Sequence, residues 1–234
     1  MRRLNQRLNQ LAENEKNKRE ETSRFLSMLG HELKTPLAVI RALLANKKIT
    51  PAMIEMANKS ISEIDDVVST SQMAEKVESD TVQVNITQCD LNDMLESLTE
   101  KHHLQGSVKL SPHTSPTINS DLILLNIILS NLIENAAKYG AGDKPIEIEL
   151  SDTEERDTVI LSVANDVRND NWPDPDRLFD KYHRDRYAHR VTGSGLGLYL
   201  VKGFSGLLGI DIEYQPTKTQ AVFRLYIPKE FSAK

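Results

Sequence analysis

The sequence predicts an all-α helical hairpin that forms a dimeric four-helix bundle, followed by an α+β domain with helices layered on one mixed sheet. Apolar residues recur at helical spacings up to about residue 78, and afterwards they alternate with polar residues at several places. The predicted divisions are an N-terminal signalling helix or linker at 1–22, the hairpin at 23–78 and the α+β domain at 79–234.

Composition excludes several classes of protein. The formal net charge of −5 argues against a general nucleic-acid binder, and the single cysteine, Cys89, allows no intrachain disulfide and fits a reducing compartment. No apolar run approaches the roughly 20 residues that span a bilayer, and residues 1–10 lack the apolar core of a signal peptide. We therefore expect a soluble piece, with any membrane or sensor module lying upstream of it and absent here.

Two apolar stripes define the predicted hairpin. Residues 1–22 are densely charged and form either a solvated helix or a coiled-coil input helix. The stripe residues of the two helices, the second starting at Thr50-Pro51, are Leu26, Leu29, Leu33, Leu37, Ile40 and Leu44, then Ile54, Ala57, Ile61, Ile64, Val68 and Ser71. Because the short connection makes the helices antiparallel, one hairpin leaves much of its stripe exposed. The sequence therefore predicts a homodimer.

The pattern after residue 79 predicts alternating strands and helices. A half-buried strand with Val82, Val84 and Ile86 comes first, and Asp90 caps the helix that follows it. Further strands are predicted at 107–110, 117–119, 146–150, 159–163, 210–214 and 222–227, with helices at 120–139 and 197–208. A polar loop at 166–192 is long enough to predict a function for it.

His31 lies opposite the apolar stripe of the first helix. At about 100° per residue, Leu29 and Leu33 fall near the far side, so His31 is expected to face solvent. Thr35, one turn later, shares its face, and Glu32 reaches His31 only through its own flexible side chain. Such a histidine is ordinarily a plain surface residue. It is also placed where a phosphate acceptor must be, within reach of a second domain or protein.

One run of residues around His31 indicates a specific function for it. It resembles the H-box of sensor histidine kinases over about residues 23–78: His31-Glu32-Leu33-Lys34-Thr35-Pro36, preceded by Phe25-Leu26 and Gly30. The resemblance implies that His31 is the nucleophile, that Glu32 orients or deprotonates it, and that Thr35 positions water for dephosphorylating a partner. Pro36 removes a helix donor and is expected to kink the helix.

The predicted helix at 120–139 presents one polar strip over an apolar back. The strip is Asn131, Glu134, Asn135 and Lys138, and the back is Leu122, Leu125, Leu129, Leu132, Ile133 and Ala136. An ordinary amphipathic surface helix has the same pattern. However, the stretch 131–139 resembles the N-box of the ATP-binding fold shared by histidine kinases, gyrase, Hsp90 and MutL. This resemblance implies that Asn135 is a direct Mg²⁺ ligand and that Asn131 supports the phosphate or the metal. It also implies that Lys138 and Tyr139 lie in the nucleotide site.

A glycine-rich turn leads into the last predicted helix. Glycines allow close backbone approach to a phosphate and a helix start favours anions, although many such turns are only tight loops. The turn resembles the G2 box of histidine kinases and consists of Gly193, Ser194, Gly195, Leu196 and Gly197. Upstream, the run 178–182 resembles the F-box of the ATP lid, which implies that Phe179 and Tyr182 pack the lid against the domain.

The adenine-reading box departs from the family pattern. In the stretch 163–169 both glycines of the Asp-x-Gly-x-Gly box are missing, and Asn165 replaces the aspartate, with Asp166 next to it. Strand alternation favours Asn165 as the acceptor for the adenine amino group, whereas charge favours Asp166. An asparagine carbonyl accepts a hydrogen bond from adenine without charge assistance, so weaker nucleotide binding is expected. The basic residues of the lid either contact phosphates or form a solvated loop: Arg177, Lys181, Arg184, Arg186 and Arg190.

These resemblances imply the cytoplasmic region of a bacterial inner-membrane sensor histidine kinase. Such a protein autophosphorylates on His31 from Mg-ATP, passes the phosphoryl group to an aspartate of a response-regulator receiver domain, and can also dephosphorylate that regulator. Two alternatives stay open. One is a degenerate kinase acting mainly as a phosphatase or docking platform. The other is a related ATPase, which would need a water-activating glutamate where Asn131 stands.

Overall fold

A computed structural model describes residues 2–46, 48–101, 104, 108–112, 117–141, 144–153, 157–167, 172–184 and 193–231. The chain divides into two compact units, Met1–Gln72 with Thr192–Ser194 and Met73–Val191 with Gly195–Lys234. We call them the helical unit and the α/β unit. A helical N-terminal region followed by an α/β domain was the coarse prediction, and it is confirmed. The finer domain boundaries stay predictions.

Two long helices dominate the first part of the chain. Helix α1 spans Arg2–Leu44 and α2 spans Pro51–Glu78. Thr50 caps α2, since its Oγ1 accepts a hydrogen bond from Met53 N at 3.3 Å. Helix α1 continues through Pro36 without ending, and the predicted kink stays a prediction. Neither these nor the other helices of the described residues are long and apolar enough to cross a membrane.

Half of the residues in the two predicted stripes are partly buried, and the other half are exposed to solvent. The residues Leu29, Leu33, Ile40, Ala57, Ile64 and Ser71 are partly buried. The other six stripe residues are exposed: Leu26, Leu37, Leu44, Ile54, Ile61 and Val68. On α2 the exposed members repeat every seven residues, as in a helix that packs on two neighbours. A single chain therefore leaves an apolar row on each helix in contact with solvent.

The described residues of the α/β unit form two sheets rather than the predicted one. Its elements are β1 Thr87–Asp90, α3 Leu91–Lys101, β2 Val108–Pro112, β3 Thr117–Ser120, α4 Leu122–Tyr139, β4 Ile146–Thr153, β5 Thr158–Asp166, α5 Gly197–Leu207, β6 Asp211–Tyr214 and β7 Gln220–Pro228. Five strands form a mixed sheet in the order β2-β4-β5-β7-β6, in which only β2 and β4 pair in parallel. Strands β1 and β3 form a separate antiparallel pair.

The predicted strand at Val82–Ile86 is wrong, because the first strand begins only at Thr87. A physical reason is visible at Asn85, whose backbone N–H donates to the Asp121 Oδ2 carboxylate oxygen at 2.6 Å instead of to a neighbouring strand. The same carboxylate caps α4, because its Oδ1 accepts hydrogen bonds from Ile123 N and Leu124 N at 2.9 and 3.0 Å. One buried aspartate thus fixes both the connection and the start of α4.

The core lies between the helices and the five-stranded sheet. The predicted apolar back of α4 is buried except for Leu122, which is 49% exposed. That part of the prediction is wrong because Leu122 is the first residue of the helix, where the Asp121 cap rather than apolar contact fixes the chain. The predicted cap at Asp90 is confirmed by hydrogen bonds from Asn92 N and Asp93 N. Cys89 is buried.

Candidate functional site

His31 projects from α1 into solvent, with 74% of its side chain exposed, whereas the neighbouring Glu32 side chain is only 7% exposed. Glu32 Oε1 lies 3.8 Å from His31 Nδ1, slightly beyond hydrogen-bond distance. Thr35 is also exposed. A carboxylate beside Nδ1 favours the tautomer with its proton on that atom, which leaves the lone pair on Nε2.

The polar strip of α4 lies on the side of the helix away from the core. Asn131, Glu134 and Asn135 are partly exposed, whereas Lys138 and Tyr139 are exposed. Lys138 Nζ lies 3.3 Å from Glu134 Oε2, one helical turn away. The strip therefore offers amide oxygens in its middle and an ammonium, already paired with a carboxylate, at its end.

The start of α5 meets this strip at Asn131. The Asn131 Nδ2 group donates to the Ile127 carbonyl at 2.8 Å, which fixes the amide. A Cβ added to Gly197 would lie 2.5 Å from Asn131 Oδ1, so only glycine fits there without a shift. No side chain of the described residues caps α5 at Leu196. The Asn131 amide and the start of α5 thus lie side by side, an arrangement that suits an anion such as phosphate.

The glycine turn is also joined to the predicted F-box. Tyr182 N donates to the Gly195 carbonyl at 3.0 Å. Gly195 has φ +68°, a conformation that favours glycine. A Cβ there would also lie 2.9 Å from the His183 carbonyl oxygen, too close for a side chain. Phe179 is partly buried under Lys202 of α5, whose Nζ is 5.5 Å from the ring centroid. Both aromatic residues of the predicted F-box therefore lie against the glycine turn or α5.

Other predicted site residues are placed elsewhere. Gly193 and Ser194 group with the helical unit rather than with Asn131 and Gly197. The Leu196 side chain is fully buried in the core, so only its backbone is available to a ligand. Among the predicted lid cations, Arg177 pairs with Asp180, Lys181 pairs with Glu78, and Arg184 is partly buried. Arg186 and Arg190 lie outside the described residues.

Asn165 and Asp166 end β5 and point in different directions. The strand alternation puts Asn165 on the face of Val163, and both Asn165 and Asp166 are buried, at 7% and 9% exposed. Asn165 lies beside the end of α4, since a Cβ on Gly140 would be 3.6 Å from its Nδ2. The Asn165 Nδ2 donates to the Asp166 carbonyl at 3.2 Å, and the Asn165 Oδ1 is an acceptor by its chemistry.

Asp166 is occupied by structural contacts. Its carboxylate pairs with Lys144 Nζ at 2.5 Å, and its carbonyl accepts a hydrogen bond from Ala141 N at 2.9 Å. Sequence reasoning missed Lys144 and Gly140 as parts of this site. Gly140 directly follows the N-box-like run, which is a local signal for it. Lys144 has no such signal, because its partner lies on another element.

Comparison with known proteins agrees with this geometry. Residues 120–230 match the family described as histidine kinase-, DNA gyrase B-, and HSP90-like ATPase. The chain is 28% identical over 227 residues to the sensor histidine kinase HprS of Escherichia coli K12, covering 90% of this chain and 48% of that protein. It is 27% identical over 222 residues to the sensor protein VanSC of Enterococcus gallinarum, covering 86% and 59%.

Solved structures share the fold. The histidine kinase AdeS of Acinetobacter baumannii superposes with a TM-score of 0.64 at 19% identity, over 85% of this chain and 98% of that one. Full-length ShkA, solved in complex with AMPPNP, superposes with a TM-score of 0.61 at 19% identity, over 94% and 47%. The chain spans about half the length of the curated relatives described above.

Proposed function

Because residues 120–230 match the histidine kinase-, DNA gyrase B-, and HSP90-like ATPase family and most of the chain is similar to sensor histidine kinases, we propose that this chain is a sensor histidine kinase that transfers the γ-phosphoryl group of ATP to its own His31. The phosphoryl group then passes to an aspartate on the receiver domain of a response regulator, which the same protein also dephosphorylates with help from Thr35. The observation that carries the proposal is the exposed His31 with the Glu32 carboxylate 3.8 Å from its Nδ1.

The proposed step is an in-line displacement at phosphorus. The Nε2 lone pair of His31 forms the new N–P bond while the bond from phosphorus to the ADP oxygen breaks, and the bonding electrons leave with ADP. Attack makes the imidazole cationic, and Glu32 stabilises or accepts the proton on Nδ1 after a small movement of its side chain. Transfer to an aspartate then breaks the N–P bond and forms an O–P bond.

The α/β unit supplies the nucleotide site in this proposal. The Asn131 amide and the start of α5 at Gly197 hold the phosphates, Lys138 approaches them from the strip, and Asn165 Oδ1 accepts from the adenine amino group. Asn135 would be the protein ligand of Mg²⁺, which would neutralise phosphate charge when bound. The donor chemistry fits, because Asn135 offers an amide oxygen from the partly exposed strip and Mg²⁺ takes few protein oxygen ligands beside phosphate oxygens and water.

The test of this function is incubation with γ-labelled ATP and Mg²⁺, followed by acid and base treatment of the labelled protein. Phosphohistidine loses its label in acid and keeps it in base. Label with this stability supports the kinase. Nucleotide binding without any label would favour the degenerate kinase. This alternative is considered because Asn165, which is uncharged, stands in the adenine-reading position. Phosphate release without phosphoprotein would favour the related ATPase.

We further propose that the protein is a homodimer held by the exposed rows of α1 and α2. Replacing Ile61, which is 49% exposed in the single chain, with aspartate would place a charge among apolar side chains at a cost of several kcal/mol. Light scattering at micromolar concentration should therefore give a dimer for the wild type and a monomer for Ile61→Asp. The matched control is Ser62→Asp, which adds the same charge at the next position and should stay dimeric. A monomeric wild type would refute the interface.

Adenine recognition is proposed to depend on Asn165 rather than Asp166. Removing a buried acceptor leaves the adenine donor unpaired, which costs about 1–3 kcal/mol, so Asn165→Ala should bind an ATP analogue tenfold more weakly or worse. Asp166→Ala loses the Lys144 pair but no nucleotide contact, and a change within threefold is expected. Calorimetric titration measures both, with GTP as the control ligand.

Asn165→Asp completes this series, because a carboxylate is a stronger acceptor and should bind the ATP analogue at least as tightly as the wild type does. A normal Asn165→Ala together with a tenfold loss in Asp166→Ala would move adenine recognition to Asp166. If neither alanine variant changes affinity, the assignment of this box is wrong.

A further inference from the structure

The backbone carbonyl of Asp166 is a shared acceptor at the end of β5. It accepts one hydrogen bond from Ala141 N at 2.9 Å and a second from Asn165 Nδ2 at 3.2 Å. A carbonyl oxygen only accepts, so the Asn165 amide meets it with its nitrogen, and turning the amide over would place two oxygens against each other. The carbonyl therefore determines which atom of the amide is left for the base of a nucleotide.

Lys144 holds the residue that carries this carbonyl. Among the described residues, the pairing of β4 with β5 ends at Ala164. On that side the end of β5 is held instead by the connection between α4 and β4. Ala141 N bonds to the Asp166 carbonyl, and the Lys144 ammonium, which is exposed, pairs with the buried Asp166 carboxylate. We call the four residues Ala141, Lys144, Asn165 and Asp166 the β5 brace.

An amide reads purine bases differently from the carboxylate that is usual in this box. A carboxylate only accepts, so it suits the amino group of adenine and not the carbonyl oxygen that guanine has at the same position. An amide has an acceptor and a donor, so it suits adenine in one orientation and guanine in the other. Selection between the two bases by Asn165 therefore depends on what fixes the orientation of its amide.

We propose that Lys144 is a positioning residue that makes the nucleotide site select adenine over guanine, an inference that rests on the adenine contact proposed for Asn165. With the β5 brace intact, the Asp166 carbonyl holds Nδ2, and Oδ1 is the atom left to accept from the adenine amino group. Guanine then meets this acceptor with an acceptor of its own. Without Lys144, Asp166 is held less firmly, and the amide turns over to donate to the guanine oxygen.

Calorimetric titration with non-hydrolysable Mg-ATP and Mg-GTP analogues tests the β5 brace. The wild type should bind the GTP analogue at least about tenfold more weakly than the ATP analogue, because the guanine oxygen finds no donor. Lys144→Gln should bind the GTP analogue at least about fivefold more tightly than the wild type does. Its affinity for the ATP analogue should fall by about twofold at most, because an amide that turns freely spends half of its time in each orientation.

Three further variants separate positioning from general damage to the site. Lys144→Arg keeps a cation for Asp166 and should behave as the wild type. Lys229→Gln removes the lysine of another lysine–aspartate pair, with Asp152 near the other end of β4, and should change neither affinity. The deciding variant combines Asn165→Asp with Lys144→Gln. A carboxylate has no donor to turn toward guanine, so the loss of Lys144 should not improve GTP binding in the Asn165→Asp background.

Hydrogen exchange at the Ala141 backbone N–H, which donates to the Asp166 carbonyl, reports on the β5 brace without any nucleotide. Exchange should be faster in Lys144→Gln and unchanged in Lys229→Gln. An unchanged preference for the ATP analogue in Lys144→Gln would overturn the positioning role, and so would an equal gain in GTP binding in the Asn165→Asp background.

The outcomes also separate the β5 brace from the proposed function. A wild type that binds both analogues equally well would overturn the selection of adenine while leaving the proposed nucleotide site in place. A wild type that binds neither analogue would refute that site. In that case the exchange measurement alone decides whether Lys144 positions Asp166, since faster exchange in Lys144→Gln supports the positioning and unchanged exchange overturns it.

Discussion

Replacing His31 with alanine is expected to reduce uptake of label from γ-labelled ATP to background while leaving nucleotide affinity within about twofold of the wild type. The imidazole is the proposed nucleophile, and its 74% exposure means that its removal leaves no cavity in the helical unit. The nucleotide site assigned to α4, α5 and β5 contains no part of His31. Scintillation counting of the protein after base treatment, together with calorimetry of the same samples, measures the two effects.

Glu32→Gln is the informative companion to this variant. Its side chain keeps its shape but no longer stabilises the proton on His31 Nδ1, so labelling should persist at a rate lower by about a hundredfold or more. A circular dichroism spectrum like that of the wild type controls for loss of α1. If His31→Ala keeps its label, the acceptor is another residue and the central assignment is lost.

The exposure of residues on one face of a helix was predictable from the sequence. The exposure of His31 follows from the periodicity of Leu29 and Leu33 on its own helix. The polar strip of α4 follows from the same rule. The rule failed at Leu122, where a capping aspartate rather than the apolar pattern determines the first turn.

Contacts between distant elements were not predictable. Lys181 and Glu78 are 103 positions apart, and Lys144 meets Asp166 from a neighbouring connection. An ion pair leaves no periodic pattern in either segment, so composition and spacing do not reveal it. The stretch with Val82, Val84 and Ile86 has strand-like alternation, yet the Asp121 carboxylate takes the Asn85 N–H that a ladder would use. In each case a tertiary contact decided what the local pattern left open.

Asn135→Ala is expected to lower Mg²⁺-dependent labelling of His31 by at least about a hundredfold, which corresponds to about 2.7 kcal/mol. The residue lies on the partly exposed strip of α4 and is the proposed protein ligand of the metal, so its loss removes an oxygen that no neighbouring side chain replaces in this proposal. Asn126→Ala is the matched control. It removes the same side chain from the same helix about 140° away from Asn131, off the strip, and should label normally.

A mixed dimer then tests whether His31 of an Asn135→Ala chain still accepts phosphate. Pairing that chain with a His31→Ala chain leaves one intact nucleotide site and one intact acceptor, on different subunits. Label can then appear only by transfer across the dimer, and each homodimer should stay unlabelled. If a verified mixed dimer takes up no label while both homodimers are also silent, transfer occurs within a subunit. If the Asn135→Ala homodimer itself takes up label, Asn135 is not essential and the metal ligand must be sought elsewhere on α4.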